Sequence, residues 1–531
     1  MKGSFVFRRS GLEITGWMLI TLLATAVRLH NISVPYFWTD EAYSALVSVL
    51  SPQAIWFHMG HEVHPPGYFL LLHLWITVFG DGVLAIRSMS AVAGIITVVL
   101  SMWFMRLIST SRTAMLAGLL IALLPISVRY SQEARMYTLE TVWLLGATIA
   151  LVYWLMSLRS RYLLAYGLLM SAALYTHYLA ILCALSHFLY LVILRFQRDK
   201  TLHYLSRPGL WMTYVAISIL YIPWLISLVS EVFLHTEQLK AGGDIFWIPA
   251  MTLNTVPSSI WRFLTVRDNQ ELPVALYLAL PTLVLLATVW VALKENGRLK
   301  SGLLLLIYTF FPLVAIALIS FKFPMFIERY MAFAAMGIPM VLALAIVRVA
   351  RRHFILAVMC VCVLLGIQCV GLNTVYQQGD DLDDPRNEAS HPLDDMVARV
   401  NESAIAGDGL VVDGGYWWLT VVYYSRTGIY PLLYDPSTDG STDNRPNGYG
   451  ASTLMYQDRD KVFLEDLRQL PANIKRLWWI TATAQADDKN LFPDNWQCLF
   501  AEDAGDMELR LYVIGRAQKD ADHGGASPCK S

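Results

Sequence analysis

The sequence predicts a polytopic α-helical membrane protein with a small α/β domain at its C-terminal end, on three observations. The 531 residues are 56% apolar and 15% charged, with mean hydropathy +0.48; soluble domains average about half apolar and a quarter charged. Apolar runs long enough to cross a bilayer recur up to residue 372 and then stop. The net charge of −1 divides at the same place, with 26 Lys and Arg against 15 Asp and Glu up to residue 372, and 14 against 26 beyond it. The near-neutral total therefore hides a basic membrane part and an acidic tail, a composition that excludes a nucleic-acid-binding protein.

A spanning helix needs about 20 mainly apolar residues. Runs of that kind cover 11–30, 84–107, 113–128, 138–157, 162–179, 178–195, 209–230, 273–293, 301–320, 330–347 and 353–372, which makes eleven expected spans. Residues 67–80, GYFLLLHLWITVFG after Pro65-Pro66, fit either a tilted span or an interfacial helix. Loop charge decides between them, because cytoplasmic loops are enriched in Lys and Arg. If 67–80 does not cross, all six dense basic clusters, from Lys2/Arg8/Arg9 to Arg348/Arg351/Arg352, fall on one side and hold 17 of the 26 basic residues. The expectation is an N-terminus in the cytoplasm, a tail outside, and an uncleaved first span, since no small-residue cleavage site follows Arg28, Leu29 and His30.

That topology collects the unusual residues on the outer face. The first outer loop, 31–83, holds YFWTDEAYS with Asp40 and Glu41, then FHMGHEVHPPGYF with His58, His61, Glu62 and His64. The second holds VRYSQEARMYTLE with Arg129, Glu133 and Arg135. Later loops add His177 in THY, and Lys322, Glu328, Arg329 and Tyr330 in KFPMFIERY. Ionisable groups at a membrane boundary mark a site or a pair, although flanking arginines also snorkel to lipid phosphates. Asp40 suits a general base; Thr39 or Asp40 equally suits the N-cap of a helix running through EAYSALVSVL. The His58, His61, Glu62, His64 grouping suits a divalent ion such as Zn, Mn or Mg, with His61 and His64 as ligands, but its spacing is not the HExxH helical pattern. As polar loop residues these histidines would instead lie near the headgroups.

Taken together, the acid pair after the first span, the HPPGYF element, QEARMY and the late ERY resemble glycosyltransferase family 39, which has the GT-C fold and includes protein O-mannosyltransferases and the lipid A aminoarabinose transferase. The resemblance covers roughly residues 5–347. It implies an inverting membrane enzyme that moves a hexose or pentose from a polyprenyl-phosphate sugar donor to a hydroxyl of a glycan, glycolipid or protein acceptor on the outer face. It implies Asp40 as catalytic base with Glu41 beside it. Arg129, Arg135, Arg329, Lys322 and Tyr330 would grip the donor phosphate, and His61, Glu62, His64, Glu133 and His177 would lie near substrate or a metal ion. Some relatives use a divalent ion and others do not. The expected location is the inner membrane, with the C-terminal domain periplasmic.

Residues 1–372 are thus expected to form the catalytic transmembrane domain, 373–392 a linker and 393–531 the outer α/β domain. In the last, DGLVVD, LTVVYYS, RLWWITAT and ELRLYVIG read as strands and KVFLEDLRQL as a helix. Trp417, Trp418, Trp478 and Trp479 suit the strand core or a sugar-stacking platform, and the Asp-rich 378–392 a solvated surface or a cation site. Four cysteines lie in apolar runs, whereas Cys498 and Cys529 are placed for one disulfide in an extracytoplasmic tail. A polyprenyl-linked sugar or lipid transporter is the alternative, as is a non-catalytic subunit of surface-glycan assembly; transporters tend to carry paired inverted repeats, and no second DE, HPP or ERY element is present.

Overall fold

The structure is a computed structural model describing residues 11–62, 64–196, 203–240, 248, 250–295, 297–382, 392–436, 453–456, 459–483 and 491–515, of which 231–240, 456 and 459–460 are described as backbone only. The chain divides into two compact units, Met1–Ile32 with Val63–Pro385, and Ser33–Glu62 with Arg386–Ser531. The boundary near 385 falls inside the expected linker. Residues 33–62, expected to lie with the membrane domain, group with the C-terminal unit.

The first unit is helical. Among its described residues eight helices are long and apolar enough to cross a membrane, from Gly11–Leu29 to Phe354–Tyr376. The other three expected spans are helices too, but shorter: Ser111–Ala122, Ser160–Thr176 and Ala180–Arg195. The run 113–128 breaks because Pro125 disfavours the α conformation in the residue before it; Leu124 turns extended (φ −67°, ψ 114°) and a separate helix, Pro125–Arg129, follows. Residues 67–80 form a 13-residue helix, Gly67–Phe79, ended by Gly80 at φ +89°. At 1.5 Å per residue it reaches only about 20 Å, against a hydrocarbon core of about 30 Å. Exposed Leu12, Leu22, Leu168, Met212, Ile226 and Leu318 face outward from their helices, as lipid-facing residues do.

The second unit is built on a six-stranded sheet of order β3-β2-β1-β4-β6-β5, with β1 (Asp408–Asp413), β2 (Leu432–Tyr434), β3 (Phe463–Leu464), β4 (Arg476–Ala482), β5 (Gln497–Ala504) and β6 (Met507–Val513). The first four in that order are parallel and the last two antiparallel. Val411, Leu464, Leu467, Leu477, Trp479 and Tyr512 form one of its cores. All four expected tryptophans are buried there, with Trp478 Nε1 donating to Asp408 (3.0 Å) and Trp418 Nε1 to the Pro431 carbonyl (2.9 Å). A surface sugar platform is therefore not their role.

Two assignments in this unit are corrected. LTVVYYS lies in a helix, Gly415–Tyr424, despite its β-branched and aromatic composition. Parallel neighbours β1 and β2 need a crossover between them, and this segment is that crossover, burying Trp417, Trp418, Leu419, Thr420 and Val421. KVFLEDLRQL is not one helix: Arg459–Val462 is helical, Phe463–Leu464 pairs with β2, and Leu467–Gln469 is a 3-10 turn. Its apolar residues serve an edge strand rather than a helix face. Cys498 is disulfide-bonded, while its expected partner Cys529 lies outside the described residues.

Candidate functional site

In the first unit the expected residues of the second outer loop sit on a brace that begins in the first span. Arg28 is fully buried, and its guanidinium donates to the Ala122 carbonyl (3.0 Å), the Ile121 carbonyl (3.4 Å), Ser127 Oγ (2.9 Å) and Ser131 Oγ (3.2 Å) as well as to Ala24 in its own helix (3.4 Å). The Pro125 break leaves the end of the Ser111–Ala122 helix with carbonyls that lack intrahelical partners, and Arg28 satisfies two of them. Gln132 Nε2 donates back to the Arg28 and His30 carbonyls (3.1 and 2.6 Å). Space for the brace depends on Gly94, where a Cβ would lie 2.1 Å from Ser131 Oγ and 2.7 Å from Arg28 Nε.

Two carboxylates after the last span tie this unit further. Arg129 binds Glu133 Oε2 (2.8 Å) and Asp380 Oδ2 (3.1 Å). Arg262, on the helix Thr255–Thr265, binds Glu328 Oε1 (2.9 Å) and Asp381 Oδ1 (3.0 Å), and Arg267 Nε donates to the Gly379 carbonyl (3.1 Å). Burial works against the Arg262 charge, but Glu328 and Asp381 outweigh it and raise its pKa; burial likewise lifts Asp381 above the usual carboxylate range, against the pull of Arg262. Residues 379–381 are therefore a strap rather than the solvated surface expected of this acid run. Glu328, expected to pair with its neighbour Arg329, pairs with Arg262 and accepts from Ser259 Oγ (3.0 Å).

Around these anchors the unit gathers a buried polar and aromatic cluster. Gly67 lets the HPPG turn approach the end of the Ser160–Thr176 helix, since a Cβ there would lie 2.5 Å from the Tyr175 carbonyl oxygen. The approach places the His64 ring 5.8 Å from His177, which stacks on Tyr178 (4.7 Å) and lies 5.1 Å from Tyr330 and 6.1 Å from Tyr137. Arg329 lies over the Tyr330 ring at 5.8 Å. Arg135 and Arg329, each 4% exposed, act electrostatically on His177, as does His64. Leu179 N–H donates to His177 Nδ1 (3.3 Å), so the ring proton sits on Nε2, which has no hydrogen-bond partner among the described residues. Glu140, also buried, brings Oε1 to 3.8 Å from His177 Nδ1.

His64, Glu133, Arg135, His177, Arg329 and Tyr330 are thus all buried in this unit, and two guanidinium groups with a ring N–H in a dry setting can bind a phosphate dianion through charge-assisted hydrogen bonds. Lys322 does not join them; it is exposed and stands over the Phe323 ring at 5.3 Å. Sequence reasoning missed Arg28, Arg262, Asp380 and Asp381 as anchors and Glu140 and Tyr137 as cluster members. Their signal was charge in or beside an apolar run, and for Tyr137 the last letter of QEARMY.

The acid pair lies in the second unit, on the helix Thr39–Ser48. Neither expected residue caps it: Trp38 is the N-cap, without a side-chain bond, and Thr39 is already helical. Glu41 is 1% exposed while Asp40 is half-buried, leaving Asp40 the more accessible acid. His58 is buried on the helix Pro52–Met59, and burial together with His61 holds its pKa below the ordinary imidazole value. His61 is exposed and its Nδ1 donates to the Phe57 carbonyl (2.9 Å). Among the described residues no group of three or more His, Cys, Asp or Glu is arranged to hold a metal ion, so the geometry lends the metal reading of His61 and His64 no support.

Comparison with known proteins agrees with this site. Residues 63–233, which carry HPPG, QEARMY and THY, match the dolichyl-phosphate-mannose-protein mannosyltransferase family. No curated protein is similar enough to match. Among solved structures, ArnT from Cupriavidus metallidurans in the apo state aligns with TM-score 0.61 at 13% identity, over 94% of this chain and 98% of that one. The same protein bound to undecaprenyl phosphate gives 0.58 at 13% identity with the same coverage. Archaeal oligosaccharyltransferase AglB from Archaeoglobus fulgidus, in complex with an inhibitory peptide and a dolichol-phosphate, gives 0.51 at 13% identity, over 89% of this chain and 69% of that one.

Proposed function

We propose that this chain, an integral membrane protein with the GT-C glycosyltransferase fold and a dolichyl-phosphate-mannose-protein mannosyltransferase segment over 63–233, transfers a sugar from a polyprenyl phosphate to an acceptor hydroxyl with inversion. The observation that carries the reading is the coincidence of that matched segment with the buried cluster around His177. Undecaprenyl phosphate bound to ArnT and dolichol-phosphate bound to AglB support a lipid-phosphate donor. The acceptor is a glycan, glycolipid or protein on the outer face of the inner membrane. The charge sorting of the loops supports that topology, and so does a disulfide at Cys498, which belongs in an oxidising compartment.

In the reaction the acceptor oxygen attacks the anomeric carbon from the face opposite the phosphate. Asp40 takes the hydroxyl proton, and the C–O bond to phosphate breaks with its electron pair going to the leaving oxygen. Arg135 and Arg329, with the His177 Nε2–H, stabilise the charge that develops there. Arg129, committed to Glu133 and Asp380, shapes the loop that carries Arg135. Glu41, buried beside Asp40, orients it.

The test is transfer by the purified chain in nanodiscs from a panel of undecaprenyl-phosphate-linked pentoses and hexoses, mannose included, to envelope glycolipid and glycoprotein, read by mass spectrometry. Asp40→Asn should lose at least about a thousandfold in rate, within the range for general-base removal, and still insert and bind undecaprenyl phosphate. Undiminished transfer by that variant would remove Asp40 as the base, and no transfer from any donor by the wild-type chain would sink the enzyme reading.

A further inference from the structure

The acid helix does not stand alone in its unit. Thr39 Oγ1 donates to the Tyr416 carbonyl, one residue before Asp40. Three residues before Asp40, the Phe37 N–H donates to Tyr424 Oη at 2.9 Å, and the Phe37 ring, fully buried, stacks on Tyr423 at 4.5 Å and 27°. Tyr416, Tyr423 and Tyr424 all lie on the crossover helix Gly415–Tyr424. That helix is fixed in turn: it follows β1 directly, and Asn401 holds its end by donating from Nδ2 to the Tyr424 carbonyl (2.9 Å) and accepting from the Arg426 N–H (2.7 Å). On the other side of Asp40 the chain is held by its own helix, with Ala42 N–H donating to the Trp38 carbonyl (2.9 Å) and Ser44 Oγ to the Asp40 carbonyl (2.8 Å).

We propose that the C-terminal domain is the positioning device for the Asp40 carboxylate, setting it through Tyr416, Tyr423 and Tyr424 of the crossover helix. The inference rests on Asp40 being the base, and it assigns a task to a domain that holds none of the other expected catalytic groups. Three contacts on one rigid helix fix the backbone within three residues of Asp40. General-base catalysis requires hydrogen-bond reach to the acceptor hydroxyl, and a misplacement of about 1 Å costs on the order of a hundredfold in rate. The tyrosines are positioning residues and touch no reacting atom.

The experiment uses the full-length chain with the donor panel member that it turns over fastest. Tyr424→Phe deletes only the hydroxyl that holds the Phe37 N–H, Thr39→Val only the one that holds Tyr416, and Thr39→Ser keeps the latter. Tyr424→Phe and Thr39→Val should each lower kcat about tenfold and together more, with donor KM and the thermal midpoint unchanged and Thr39→Ser close to wild type. A kcat within twofold of wild type in the double variant overturns the proposal. A fall in kcat that comes with a matching rise in KM or a lowered midpoint also overturns it, since that is general loosening. Asp40→Asn, run beside them, separates the two readings: full activity there refutes the base assignment, whereas an inactive Asp40→Asn with a fully active double variant refutes the positioning alone.

Discussion

Gly94→Ala tests whether the Arg28 brace sets the loop that carries Arg135. The added Cβ would sit 2.1 Å from Ser131 Oγ, 2.9 Å from Ser131 Cβ and 2.7 Å from Arg28 Nε, where ordinary contact begins at 3.4 Å. The neighbours must therefore retreat by about 1.3 Å at Ser131, and both belong to the same hydrogen-bonded brace, so neither moves without breaking the bond between them (3.2 Å). Overpacking of this kind costs about 1–3 kcal/mol, partly offset by roughly 1 kcal/mol from removing a helical glycine. A displacement of about 1 Å in a loop that supplies a phosphate-binding guanidinium should cost on the order of 10- to 100-fold in kcat/KM. Gly366→Ala is the control, because nothing lies within 4 Å of its Cβ; it should leave activity unchanged. The assay pairs the nanodisc transfer rate with the rise in thermal midpoint on adding undecaprenyl phosphate, which reports binding through linkage. A Gly94→Ala protein with wild-type turnover and an undiminished midpoint shift would refute the brace as the element that places the loop.

Two further outcomes follow from the ion pairs. Arg262→Ala leaves Glu328 buried without its cation, so the thermal midpoint should fall by an amount worth on the order of 2–3 kcal/mol, between surface-pair and buried-pair values; Arg262→Ala with Glu328→Gln should recover part of it, and an unchanged midpoint in the single variant would show that the pair holds nothing. In the second unit burial pushes Asp408 up, but bonds from Arg476, the Ile405 N–H and Trp478 outweigh it and hold the carboxyl below its ordinary 3.8. A folded-state value below the unfolded one contributes stability above pH 3.8 that is lost as pH falls through the folded value. Acid unfolding followed by tryptophan fluorescence should therefore shift upward in pH midpoint, or flatten, in Asp408→Asn; superimposable curves would contradict this.

Much of this was legible in the sequence because the bilayer allows few solutions. Backbone polar groups in hydrocarbon must be satisfied within a helix, so every run counted as a span is helical, and only the Pro125 break needed the structure to be seen. The motifs HPPG, QEARMY, THY and ERY were visible as residue types, but their partners were not. Glu328 lies next to Arg329 in sequence yet bonds Arg262, 66 residues away. Arg28 looked like any arginine at the end of a span. In the C-terminal domain, LTVVYYS has strand propensity, and the requirement that overrode it, a crossover between parallel β1 and β2, is a property of the sheet rather than of the segment.

The arginines show why residue type alone underdetermines the site. A guanidinium offers five N–H donors in a fixed fork, and what occupies the fork sets the role. Arg28 donates to three carbonyls and two hydroxyls with no acid among its partners, the pattern of a strut joining backbone segments. Arg129 and Arg262 each hold two carboxylates, one local and one from Asp380 or Asp381, so they fasten the end of the last span to the loops beside it. That fastening gives the acid run after residue 378 its function: removing charge at Asp380 and Asp381 would leave two buried cations each short of a partner, a larger penalty than deleting exposed acids. Arg135 and Arg329 differ in setting rather than in type. They surround a histidine whose protonated nitrogen has no partner among the described residues, in a cluster of tyrosines that excludes water. A bound phosphate dianion would answer all three donors at once, and that is why the phosphate is assigned there and not to the better-paired arginines.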